Sequence, residues 1–105
     1  MIGNPNEDKI TQSKISLKKR IKALKDLLGD YPEYDFSQAG VQIELVHTQD
    51  PFTDLTAGAT GVIELVKKNN GIEDQIWVKW DNGSDLMLLA GKDNFVKVGF
   101  IDPMS

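Results

Sequence analysis

The sequence has no cysteine and a single histidine among its 105 residues. Disulfides, thiolate zinc sites and cysteine nucleophiles are therefore excluded, and a metal centre would have to rest on carboxylates around one imidazole. His47 is read as an unligated side chain at a strand end, and no metal site is expected. No apolar run approaches the roughly 18 residues that span a bilayer, and the N-terminus is polar rather than signal-like. A cytoplasmic protein without membrane contact is the default expectation. Gly58-Ala59-Thr60-Gly61 is no phosphate loop, because no Gly-Lys-Ser/Thr comes after it. Asp81-Asn82-Gly83-Ser84-Asp85 lacks the spaced ligands and terminal Glu of a calcium loop. Asp50, Asp54, Asp81, Asp85 and Asp93 all fall in loops or turns, and no local spacing brings two of them together. A nucleophile, a base and an orienting group are not present as a set. The expectation is a protein that is not an enzyme, with no catalytic residues and no cofactor.

What the chain does contain suits one ordinary globular domain, with 40% hydrophobic and 27% charged residues. Its net charge of −4 conceals an asymmetry. Residues 9–28 carry Lys9, Lys14, Lys18, Lys19, Arg20, Lys22 and Lys25 against Asp26 alone, whereas acidic residues outnumber basic ones from position 40 onward. A basic arm beside an acidic body suggests intramolecular docking, self-association or a charged partner.

Residues 1–10 read as a flexible end. From 11 to 29 the pattern is helical, with Leu17, Ile21, Leu24 and Leu28 in one apolar stripe and Gly29 placed to end it in a left-handed conformation. The other side carries Lys18, Lys19, Arg20, Lys22 and Lys25, either a solvated face or a contact for phosphates or acidic protein. Residues 30–39 form an aromatic and acidic linker in which Tyr31, Tyr34 and Phe36 pin the helix to a β-rich body. From Gly40 the period becomes two, with strands expected over 41–45, 62–66, 76–80, 86–88 and 95–98. Asn82-Gly83 calls for a two-residue hairpin turn of type I′. Ile76, Val78 and Trp80 then share the inner face, and the outward Trp77 is expected beneath Leu17, Ile21 and Leu24. These elements make a mainly β fold: a five-stranded antiparallel SH3-like barrel over 40–100, preceded by one amphipathic α-helix and completed by a tail over 101–105.

Gly40-x-x-Ile43-Glu44-Leu45-Val46, Asp50-Pro51-Phe52-Thr53-x-Leu55, Gly58-x-x-Gly61, Trp80-Asp81-Asn82-Gly83-Ser84-x-Leu86 and Gly91-x-Asp93-x-Phe95 succeed one another across residues 40–98. The series resembles a small domain family of unknown function encoded often by bacteriophages and bacterial mobile elements. The resemblance implies the barrel and a phage or prophage origin, and it implies no activity. Gly58-Ala59-Thr60-Gly61-Val62-Ile63 is similar to the start of KOW-type barrels. The Val-x-Trp-Asp-Asn-Gly-Ser turn is similar to the repeats of mind-bomb ubiquitin ligases.

The function expected from these residues is a non-catalytic binding module that holds a host or phage protein. The contact would be made through barrel loops or an edge strand, with Asp50, Phe52, Asp54 and Trp77 as candidate contacts. The alternative is a nucleic-acid-binding accessory protein using Lys18, Lys19, Arg20, Lys22 and Lys25. A third reading, a small-ligand-sequestering protein or an enzyme, needs a deep pocket the sequence does not display. Homo-oligomerisation through the apolar stripe of the helix is a further expectation.

Overall fold

In a computed structural model of the chain, residues 5–48, 53, 55–69 and 72–103 are described. One helix, α1 (Pro5–Leu28), precedes β1 (Tyr34–Asp35), β2 (Val41–His47), β3 (Thr60–Asn69), β4 (Ile72–Trp80), β5 (Leu88–Leu89) and β6 (Asn94–Phe100). Every pairing is antiparallel, in the order β5-β4-β3-β2-β6, with β1 set off that path against β3. No ladder joins β5 to β6 among the described residues, so the sheet is unclosed. The mainly β plan with a leading helix is as expected. There are six strands rather than five, because Tyr34 and Asp35 leave the linker to pair with Lys67 and Val66.

The helix begins at Pro5, six residues before the expected start. Proline suits a first helical turn, where its missing N–H has no partner to lose. Leu17, Ile21 and Leu24 are buried and Leu28 is half-buried, as the stripe requires. Gly29 does end the helix, but not in the left-handed conformation. Its N–H still reaches the Lys25 carbonyl at 2.8 Å, and a side chain there would collide with that same oxygen.

Two cores flank β3. The larger holds Val41, Ile43 and Leu45 of β2, Ile63 of β3, Ile76, Val78 and Trp80 of β4, and Leu55 and Leu88. Gly61 is required here: a Cβ would come within 2.7 Å of Val78 Cγ1 and 3.0 Å of the Trp80 ring. The smaller core lies under the helix, where Leu17, Ile21 and Ala39 pack with Phe36, Val62 and Ile101. One strand serves both because successive side chains alternate faces, Ile63 entering the larger core and Val62 the smaller. A bulge follows, in which Ile63 pairs with Val78 and Leu65 with Trp77, leaving Glu64 as the extra residue.

The structure changes two sequence expectations. The first concerns Asn82-Gly83, which is not a two-residue hairpin turn. Strands β4 and β5 pair only as Gln75 with Leu89 and Ile76 with Leu88, whereas a turn centred on 82–83 would set Ile76 against Leu89. The one-residue difference selects Leu88 for the core, where it is fully buried. Local side-chain bonds hold the longer loop. Ser84 N–H donates to Asn82 Oδ1 at 2.9 Å, and Trp80 Nε1 donates to the Leu86 carbonyl at 2.8 Å.

The second concerns Trp77, whose ring partner is Tyr34 of the linker. The helix seats on Val62, which is opposite Lys79. Trp77 packs edge-on against Tyr34, with centroids 5.9 Å apart. Pairing of Tyr34 with Lys67 brings that ring beside it, and the Lys67 ammonium lies 5.8 Å from the Tyr34 ring.

Beside this ring pair, the Ser37 backbone N–H donates to Asp35 Oδ1 at 2.8 Å. That bond first, then the Ser37 hydroxyl, holds the Asp35 carboxyl below the usual aspartate range, and Lys68 adds a smaller pull. A lowered folded-state value means stability present above the unfolded pKa and lost as pH falls through the folded one. Asp35→Asn is therefore expected to flatten the acid limb of a Tm-against-pH curve. An acid limb as steep as that of the parent protein would remove Asp35 from the explanation.

Candidate functional site

Of the four residues proposed as protein contacts, Asp50, Phe52 and Asp54 lie outside the described residues. Trp77 is placed on β4, half-buried against Tyr34, with its indole N–H buried and without a partner among the described residues. The structure thus joins Trp77 to the linker.

The basic set of α1 is exposed but does not form one face. At about 100° per residue, Lys18, Lys22 and Lys25 share one flank of the buried stripe. Arg20 falls on the other flank and Lys19 on the outer crest. Lys25 lies with its ammonium 5.8 Å from the Phe36 ring. Arg20 Nε donates to Glu64 Oε2 at 2.9 Å, and the carboxylate side chain is only 9% exposed against 53% for the arginine. The β3 bulge is what delivers Glu64 to this position. Sequence reasoning missed it, because Val62-Ile63-Glu64-Leu65-Val66 reads simply as one continuous strand.

The Arg20–Glu64 pair borders a polar cleft of about 380 Å³ whose other walls include Lys79, Trp80, Ser84 and Asp85. The buried carboxylate is engaged by the guanidinium, so the cleft presents a closed ion pair rather than an available base. Among the described residues, no cluster of three or more His, Asp or Glu is arranged to hold a metal.

The most exposed apolar side chains of the sheet lie along its end. Among the described residues β6 is the terminal strand, paired with β2 on one side only. Val96, Val98 and Phe100 are 46%, 56% and 54% exposed, and Val46 of β2 is 49% exposed. The ladder sets Val96 opposite Glu44 and Lys97 opposite Ile43, then slips so that Gln42 meets Gly99, with Val98 as the extra residue. The sequence signal for this strand is the spacing of Val96, Val98 and Phe100, although the bulge sets Val96 opposite Glu44 and Phe100 opposite core-facing Val41.

The family model of the domain of unknown function DUF4314 matches residues 18–98. The chain belongs to that family. The match runs from within α1 into β6, so the helix from Lys18 onward and the linker, which precede the recognisable motifs, are part of the DUF4314 domain. Arg20 and Glu64 both fall within it. Neither a curated protein nor a solved structure matches the chain. No helix is long and apolar enough to cross a membrane among the described residues.

Proposed function

We propose that this DUF4314 domain is a non-catalytic binding module that takes a partner protein as an added strand along β6. The observation that supports this reading is the one-sided pairing of β6 together with the exposure of Val96, Val98 and Phe100. An edge strand offers a row of unpaired backbone donors and acceptors, and alternate side chains give the contact its specificity. Lys97 and the bulge at Val98 restrict which strands fit, as edge charges and bulges do. In this reading the sheet is an SH3-like barrel opened between β5 and β6. The protein is of phage or mobile-element origin and acts in the host cytoplasm on a host or phage protein. Asp50, Phe52 and Asp54 are secondary contact candidates.

Helix-mediated self-association has less to recommend it, since Leu17, Ile21 and Leu24 are already buried, the first two in the core that includes Val62 of the sheet.

The test is selection of extended peptides from a displayed library, then amide exchange on the complex. Bound peptide is expected to protect β6 amides. Val98→Lys, at an exposed position, is expected to weaken binding about tenfold or more, which corresponds to about 1.4 kcal/mol, with an unchanged Tm. Protection confined to other elements would overturn the proposal.

A further inference from the structure

A second surface, separate from the sheet edge, lies on the Lys18 flank of the helix. There a groove of about 280 Å³ is lined by Lys18, Ile21, Lys22, Lys25, Asp26 and Pro103. We propose that this groove docks an acidic amphipathic segment of a partner protein, with one apolar side chain seated between the lysines and Pro103. Such docking is independent of the β6 contact.

The size of the groove supports this first. Its volume falls just below the range of about 300–1,000 Å³ typical of small-molecule pockets, and it has room for one large apolar side chain. Its walls suit such a group, because Pro103 and Ile21 are apolar and lysine stems lie along apolar surface while their charged heads stay in water.

Charge supports it independently. Lys18, Lys22 and Lys25 repeat at steps of four and three along one flank, with Asp26 as the acidic residue of the groove lining. An acidic helix carries carboxylates at the same steps, so the two patterns can run side by side. The chain as a whole is at −4 and its acidic residues outnumber basic ones from position 40 onward, so the flank is a positive island on an acidic body. Charges interact over about 8 Å at physiological salt. A short acidic segment therefore meets mainly the island.

Nucleic acid fits this groove less well. A long polyanion would extend beyond the island onto like charge. The groove also lacks the aromatic and arginine faces on which bases stack, since Arg20 is on the opposite flank with Glu64.

Fluorescence anisotropy decides the matter with three labelled probes. These are a short helix-forming peptide of Leu and Glu at helical spacing, the same peptide with Leu replaced by Ser, and a single-stranded oligonucleotide of equal charge. The Leu–Glu peptide is expected to bind the full chain. Its affinity should fall about tenfold or more, which is about 1.4 kcal/mol, on raising the salt or in the Lys18→Glu/Lys22→Glu double variant. Val98→Lys should leave it unchanged.

Equal binding of the Ser peptide would overturn the apolar seat, and equal binding of the oligonucleotide would overturn the choice of partner. Concentration-dependent self-association abolished by the double variant would assign the groove to a second copy of the chain and overturn the proposal. Loss of peptide binding in Val98→Lys would place the contact on the sheet edge, with the same consequence.

Discussion

Replacing Trp80 with alanine is expected to cost about 3–5 kcal/mol, a large share of the 5–15 kcal/mol that holds a typical domain together. The indole is 2% exposed and sits in the larger core with Val78, Ile63 and Leu45. Gly61 lies beneath it, so no larger neighbour is at hand to fill the void. Its N–H also fixes the loop after β4 through the Leu86 carbonyl. Trp80→Phe keeps most of the ring and removes that bond, with an expected cost nearer 1 kcal/mol from the hydrogen bond plus the lost ring volume. Urea denaturation monitored by far-UV circular dichroism reads both variants. A midpoint for Trp80→Ala indistinguishable from that of the parent protein would mean that this ring does not belong to the core.

Arg20→Ala is expected to cost about 2–3 kcal/mol, between the value of about 1 for exposed pairs and the 3–5 for breaking a buried one. The reason is asymmetric burial. The arginine is half exposed and can be hydrated when alone, whereas Glu64 is not free to turn to water. Removing the arginine strands a carboxylate at the helix–sheet junction. Removing the carboxylate, as in Glu64→Leu, leaves a guanidinium that swings out and should cost less. The double variant Arg20→Ala/Glu64→Leu is expected to recover most of the loss. A thermal-denaturation cycle checks this ordering. Equal costs for the two single variants would show that the pair behaves as an exposed one.

The two residues differ in how far sequence could reach them. Trp80 was legible as core because Ile76, Val78 and Trp80 alternate with their neighbours, and a strand alternates faces by covalent geometry. The helix stripe was legible for the same kind of reason, with period 3.6 in place of two. Glu64 was not, because a bulge leaves no mark on composition: an extra residue in one strand shows only against its partner. The register after Asn82-Gly83 failed on competition, since Asn82 and Ser84 side chains bond the loop backbone and shift the pairing by one. The ring partner of Trp77 was out of reach because Tyr34 belongs to a stretch with no strand signal of its own. At the sheet edge, the apolar row of β6 was visible in the sequence. That it forms the end of the sheet is a property of strand order, and no local pattern carries that.

The extra residue in β3 also bears on which changes in chain length the domain can absorb. Removing Glu64 would leave Ile63 and Val66 on one side of the ribbon and Val62 and Leu65 on the other, as they already are. A single-codon loss at that point is silent for every apolar neighbour while erasing the electrostatic clasp to the helix. The same loss between Thr60 and Ile63 would turn part of the ribbon inside out.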